Sequence, residues 1–196
     1  MTVASAYRAS YNRPMSAGAG HDSRDARAVQ IRVDDQATDE DGSAIWAVYD
    51  AVFSDWPDRQ SWQEAVWDRH SCRPGFRLAR AYDSDGLIGF AYGYTGQPGQ
   101  WWTEQARLVL APPVAHEWLG GHFELVSIGV LKRARGKRVG RGLLRRVCED
   151  LPHERWLLMT TADEGDPARR LYASEGWRVV GPGLSGGQVI LGKRKG

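Results

Sequence analysis

The stretch FELVSIGVLKRARGKRVGRGLLRRVCEDL, residues 123–151, decides how the rest of the chain reads. It begins as a buried strand, passes through a basic glycine-bearing turn and continues as an amphipathic helix. Val139, Leu143, Leu144 and Val147 fall on one face of that helix, and Arg138, Arg141 and Arg145 form another stripe. Eight cations (Lys132, Arg133, Arg135, Lys137, Arg138, Arg141, Arg145, Arg146) lie between Glu124 and Glu149 with no acid among them. A strand running through a glycine turn into a helix start is a means of holding phosphates. Backbone N–H groups converge there, the helix dipole adds partial positive charge, and cationic side chains add more. The stretch therefore predicts a site for the pyrophosphate of a cofactor.

Upstream, residues 76–82 and 87–94 alternate around the turn Asp83-Ser-Asp-Gly86 and predict a hairpin. Residues 29–33 alternate as a first strand. Between these lie two helical patterns. One carries Ile45, Trp46, Val48, Tyr49, Val52 and Phe53, with Asp39 or Asp41 as its cap. The other spans residues 61–69 and places Trp62, Ala65 and Val66 at helical spacing, with Trp46 and Trp62 expected in the core. Residues 96–102 read as a loop bearing the adjacent aromatics Trp101 and Trp102. Pro112 and Pro113 argue against a regular helix over residues 107–119.

Downstream, residues 155–160 predict another buried strand, and Asp163-Glu-Gly-Asp-Pro167 caps a short helix bearing Ala168, Leu171 and Tyr172. Residues 177–180 and 188–191 predict two closing strands. The order β-α-α-β-β-β-α-β-α-β-β, with hairpins before and after a parallel crossover, predicts a mixed α/β fold: a mixed, mostly antiparallel sheet of six to seven strands with helices on both faces.

Composition sets outer bounds. The chain has 196 residues, enough for one domain, expected over residues 29–196, with residues 1–28 as a disordered tail or a start codon placed too far upstream. A hydrophobic content of 42% and charged content of 26% are those of a soluble globular protein. Two cysteines, Cys72 and Cys148, supply neither a disulfide framework nor metal-ligand spacing, which places the chain by default in a reducing, cytoplasmic compartment. No apolar run reaches the length of a membrane span, and no signal-peptide core is present. The net charge of +2 is too small to require a polyanionic partner.

Two motifs together resemble the Gcn5-related N-acetyltransferases (GNAT family). In that family a strand ending in valine leads into Arg/Gln-x-x-Gly-x-Gly/Ala and a leucine-rich helix. Here Val130 ends the strand, the turn reads Arg135-Gly-Lys-Arg-Val-Gly140, and Leu143-Leu144 come next. The second motif, Ala-x-x-Leu-Tyr-x-x-x-Gly-Phe/Trp, stands as Ala168-Arg-Arg-Leu-Tyr172-Ala-Ser-Glu-Gly176-Trp177. The resemblance covers residues 76–180 well. Two positions depart from it. Arg138 occupies the first glycine of the turn, where a positive φ would strain an arginine. Gly165 stands where the family often has an asparagine that binds the cofactor or orders the site.

The resemblance implies acetyl-CoA as cosubstrate and an amine as acceptor, a small-molecule amine being the expected partner. A protein or peptide acceptor, or a CoA-binding relative without catalysis, are the alternatives, and a homodimer is left open. It assigns Arg135, Gly136, Lys137, Arg138, Val139, Gly140 and Arg141 to the pyrophosphate, and the backbone of Ile128, Gly129 and Val130 to the pantetheine arm. Arg145 and Arg146 are read as a solvated face. Tyr172 is the implied general acid toward the departing thiolate. Glu124, at the head of the strand, is the candidate base, acting through water, with His122 and His116 as alternatives. Both proton transfers are needed because an alkylamine has a pKa of about 10.4 and a thiol about 8.5. Binding to nucleic acid through the basic helix is disfavoured, since the cations sit at a glycine turn and no separate DNA-reading motif occurs. By position within the family, Trp101, Trp102, Tyr92, Tyr94 and the first two helices would line the acceptor pocket, which suits a small amphipathic or cationic amine.

Overall fold

A computed structural model describes residues 29–196; the expectation for residues 1–28 lies outside them. The sequence alternates into seven strands: β1 (Gln30–Asp34), β2 (Arg77–Asp83), β3 (Gly86–Gly96), β4 (His122–Val130), β5 (Arg155–Thr161), β6 (Arg178–Pro182) and β7 (Gln188–Arg194). They form one sheet in the order β1-β2-β3-β4-β5-β7-β6. Every neighbouring pair is antiparallel except β4 and β5. That parallel pair requires a crossover, and α6 (Val139–Cys148) supplies it.

Side-chain alternation divides the sheet into two faces. On one, Val139, Leu143, Leu144 and Val147 of α6 are buried against Ala79, Ala81, Ile88, Ala91 and Leu125, and α7 (Pro167–Ser174) adds Tyr172 to the same cluster. Each such aliphatic side chain contributes roughly 1.5–3 kcal/mol by leaving water. On the other face, α1 (Asp41–Phe53) and the helical segment of residues 59–71 pack Ile45, Val48, Tyr49, Trp62 and Trp67 onto Phe76, Leu78, Phe90 and Tyr92. Trp62 is fully buried and Trp46 packs on it with ring centroids 5.5 Å apart, so both tryptophans belong to the core as expected.

The segment 59–71 is not one regular helix. It runs as α2 (Arg59–Trp62), a π-helical stretch (Gln63–Trp67) and α3 (Asp68–Ser71). Asp58 caps its start by accepting from Ser61 N at 2.8 Å. The wider π turn shifts the phase of α3 relative to α2, and Trp67 meets Phe76 and Tyr92 edge-on. At α1 neither Asp39 nor Asp41 serves as the cap. Glu40 occupies that position without a side-chain bond. The Asp41 carboxylate instead accepts from Thr38 N and pairs with Arg80, which also pairs with Asp34, so it ties α1 to β1 and β2.

The region after β3 differs from expectation. Trp101 and Trp102 open a helix, α4 (Trp101–Val109), and Pro112 and Pro113 begin another, α5 (Pro112–Trp118). Proline suits the first turn of a helix, whose N–H groups lack intrahelical acceptors anyway; the two prolines start a helix here rather than prevent one. Both helices cover Leu157 and Ile190, on the face opposite α6.

Two irregularities position the site. Tyr92 faces Ser127 but Gly93 faces Leu125, so Val126 is an extra residue bulged from β4. The second is that β4 and β5 pair only at Phe123↔Trp156 and Glu124↔Leu157. Beyond those pairs β4 stays bonded to β3 and β5 to β7, and the sheet opens between them. On its other edge β4 is tightly packed against β3. A Cβ at Gly93 would lie 2.3 Å from the Glu124 carbonyl oxygen and 2.6 Å from the Phe123 ring. Gly93→Ala is therefore expected to lower unfolding free energy by about 2–3 kcal/mol in a urea titration. A loss below about 0.5 kcal/mol would show that these two strands are free to part.

Candidate active site

The turn between β4 and α6 begins with a short 3₁₀ segment, Lys132–Ala134. Gly136 then takes φ 77° and Arg138 takes φ 62°, ψ 11°. The first glycine of the family turn thus has the left-handed backbone that glycine serves, and here an arginine adopts it at a typical penalty of about 1–2 kcal/mol. Arg138 is the N-cap of α6 and gives no side-chain cap. The first helical bond runs from Gly142 N to Arg138 O at 3.0 Å. The N–H groups of Val139, Gly140 and Arg141 consequently precede any intrahelical acceptor.

Gly140 is not demanded by packing, since a Cβ there would make only ordinary contacts with Leu171 at 3.5 Å and Val130 at 3.7 Å. Its lack of a side chain leaves the backbone approachable. Among the described residues Arg135, Lys137 and Arg138 form no close ion pair, although the charge of Lys137 still acts on Asp83. Exposed N–H groups, a bare glycine and unpaired cations fit a pyrophosphate. The open edge of β4 at Ile128, Gly129 and Val130 fits an amide-bearing arm, with the Val130 carbonyl accepting from Arg135 Nε at 3.2 Å.

The remaining cations of the stretch turn elsewhere. Arg141 lies 3.0 Å from Glu175 and donates to Ser174 Oγ, so its side chain joins α6 to the end of α7 rather than facing the turn. Arg145 grips the same Glu175 with two bonds of 2.7 and 3.0 Å. Arg133 pairs with Asp83 and Arg146 with Glu149. The Arg145 guanidinium holds the Glu175 carboxyl below its ordinary pKa. Alongside this clamp, Asp166 caps α7 by accepting from Ala168 N at 2.7 Å and Arg169 N at 3.3 Å. Tyr172, 5% exposed, is thereby fixed beside Trp177 at a ring separation of 6.2 Å. Gly165 sits in the turn before α7, its N–H donating to Asp163 Oδ1 at 2.9 Å.

Glu124 lies on the other face of the sheet. It is the cross-strand partner of Tyr94 and pairs with Leu157 at the point where β4 and β5 part. Its side chain is buried, and burial pushes its pKa up to about 8, offset in part by the positive charge of Arg73 and the hydrogen bond from Tyr94. Tyr94 Oη donates to Glu124 Oε1 at 3.4 Å, while Oε2 has no partner among the described residues. Burial, and then the Glu124 charge, raise the Tyr94 phenol well above its ordinary value.

Around this pair stand residues whose role the sequence did not show. His70 Nδ1 lies 3.2 Å from Tyr92 Oη, and its ring centroid is 5.3 Å from that of Tyr94. The Arg73 guanidinium lies over the Tyr94 ring at 4.9 Å. Only the strand register, which turns Tyr92 and Tyr94 toward the end of α3, could have suggested them. His122 is buried, accepts from Gly120 N at Nδ1 and is held near a pKa of about 3 by burial; His116 is exposed on α5. Trp102 packs in the cluster under α4 and α5, and Trp101 is 54% exposed. No group of three metal-binding side chains occurs among the described residues, and none of their helices is long and apolar enough to cross a membrane.

Comparisons with known proteins identify the family and the fold. The profile of the Acetyltransferase (GNAT) family matches residues 43–177. The chain belongs to the GNAT acetyltransferase family. A GCN5-like protein acetyltransferase of Mycobacterium tuberculosis is 37% identical over an alignment of 101 residues that covers 48% of this chain. The aligned stretch spans about half of that relative, 49% of its length. An acetyltransferase from Thermus thermophilus superposes with a TM-score of 0.63 at 13% identity, over 86% of this chain and 99% of that one. Arabidopsis thaliana NAA60, crystallised with a bisubstrate analogue, gives 0.58 at 16% identity, over 86% of this chain and all (100%) of that one. These two likenesses show a shared fold.

Burial of Glu124 has a consequence for stability. Its folded pKa of about 8 exceeds the ordinary carboxyl value of 4.5, so the folded state holds the extra proton between those values. The contribution is fully present below pH 4.5 and is lost as pH rises through about 8, with a slope of up to about 1.4 kcal/mol per pH unit. Urea titrations of wild type and Glu124→Gln over roughly pH 5 to 9 are expected to diverge, the variant gaining relative stability as pH rises. Parallel curves would show that the carboxyl is solvated.

Proposed function

We propose that this chain transfers an acetyl group from acetyl-CoA to a primary amine of a small molecule, by direct attack within a ternary complex. The observation that carries the reading is the parting of β4 from β5 immediately beyond Glu124, with the α6 N-terminus at the wide end of the gap. Acetyl-CoA, when bound, supplies a thioester whose thiolate can leave.

The chain's residues would divide the work across the sheet. The N–H groups of Val139, Gly140 and Arg141, with Arg135, Lys137 and Arg138, hold the pyrophosphate at the helix start. The edge of β4 at Ile128, Gly129 and Val130 accepts an extended amide arm as an added strand. That arm lies between the face bearing Tyr172 and the face bearing Glu124. Glu124 removes a proton from the attacking nitrogen, directly or through water, and Tyr172 delivers one to the departing sulfur. Neither group must supply the whole acceleration, since holding two reactants in alignment removes much of the barrier. Because Glu124 titrates near about 8, activity is expected to rise with pH toward that value.

A protein amine is the second reading, favoured by the name of the mycobacterial relative, a protein acetyltransferase. The experiment is a thiol-release assay with acetyl-CoA against pooled small amines and pooled peptides. Tyr172→Phe is expected to lower kcat by on the order of 100-fold with little change in CoA binding. A variant that keeps full turnover at every pH would remove Tyr172 from the mechanism.

A further inference from the structure

Arg73 occupies the turn between α3 and β2 and points at the reaction side of the sheet. It is half-buried, and its Nε is buried without a hydrogen-bond partner. Its guanidinium rests on the Tyr94 ring at 4.9 Å, and the Tyr94 hydroxyl in turn reaches Glu124 at 3.4 Å. Arg80, which projects from β2 on this face, pairs with Asp34 and Asp41. Arg73 has no such pair among the described residues. The groups nearest it do not supply one at neutral pH. Burial opposes ionisation of Glu124, whose side chain bonds to Tyr94, and burial pushes His70 down to about 4. Arg69, one turn upstream, is exposed and adds positive charge rather than removing it.

The surroundings of the candidate base therefore include a half-buried guanidinium with no carboxylate paired to it, resting on an aromatic ring. A half-buried guanidinium is stabilised by a carboxylate that accepts two of its hydrogen bonds. We infer that the acceptor amine also carries a carboxylate, which Arg73 receives across the Tyr94 ring while the amine end reaches Glu124. One guanidinium matches one negative charge; a dianionic phosphate would call for more donors than the pocket offers. This inference rests on the acetyl-transfer reading for the identity of the amine end, and it adds a carboxylate to the small amphipathic or cationic amine expected from the aromatic residues.

The test compares matched pairs that differ only in the carboxylate: lysine with cadaverine, tyrosine with tyramine, and tryptophan with tryptamine. Both acetyl transfer and equilibrium binding to the CoA-loaded protein are measured. Wild type is expected to favour the carboxylated member of at least one pair by roughly 10- to 100-fold, the difference lying in KM or Kd. Arg73→Gln should reduce that preference to under about threefold, whereas Arg69→Gln should retain it. A thermal melt of each variant establishes that it is folded, and Arg73→Lys gives partial rescue if charge is what matters. Binding that is carboxylate- and Arg73-dependent without turnover would uphold the inference while removing the transferase reading. No preference in any pair, or a preference that survives Arg73→Gln, would overturn it.

Discussion

The structure depends on the failure of β4 and β5 to remain paired. A parallel pair in the middle of an otherwise antiparallel sheet could have bonded along its whole length. Here it bonds at two positions, Phe123↔Trp156 and Glu124↔Leu157, and then separates. Unpaired backbone in a sheet interior is costly unless something bonds to it. The bulge at Val126 on the opposite edge of β4 bends the strand just past the last pair with β5. Packing at Gly93 against Phe123 and the Glu124 carbonyl holds β4 to β3 on the other side. The outcome is a gap with a helix N-terminus at one end and a buried carboxyl at the other, the opening proposed above to receive the cosubstrate.

Charge is distributed to match. The basic stretch that looked uniform along the chain is divided by its partners. Arg141 and Arg145 converge on Glu175 and lock α6 to α7, and Arg133 and Arg146 have acids of their own. Arg135, Lys137 and Arg138 are left at the turn. Across the sheet the pattern inverts, with a carboxyl whose ionisation burial opposes and Arg73 without an ion pair among the described residues. Fixed charges are thus present on both sides of the gap, each placed where an anionic group of a ligand would complete it.

Much of this was legible in the sequence because it depends on local pattern. The alternation of β2 and β3, the helical stripe of α6 and the Asp166-Pro167 cap each specify their element without distant help. The two family motifs located the helix start and Tyr172, and the αL backbone at Arg138 was foreshadowed by an arginine in a glycine position. The expectations that failed needed context. Pro112 and Pro113 are helix breakers in an interior and helix starters at a first turn, and only the end of α4 decides which. The π turn at Gln63–Trp67 leaves no periodic mark, yet it sets where Trp67, His70 and Arg73 fall. Arg141 was indistinguishable from its neighbours until Glu175, far along the chain, was folded against it. The Arg73–Tyr94–Glu124 series joins three separate segments, so no spacing rule could reveal it.

The central claim is that the gap between β4 and β5, together with the α6 N-terminus, receives one ligand. Amide hydrogen exchange with and without CoA tests it most directly, because the claim concerns backbone groups that no side-chain substitution removes. The account predicts CoA-dependent protection in peptides covering residues 126–130 and 138–142, with β1 and β2 unchanged. Protection confined to other segments, or CoA binding that leaves both of these stretches exchanging as before, would contradict it.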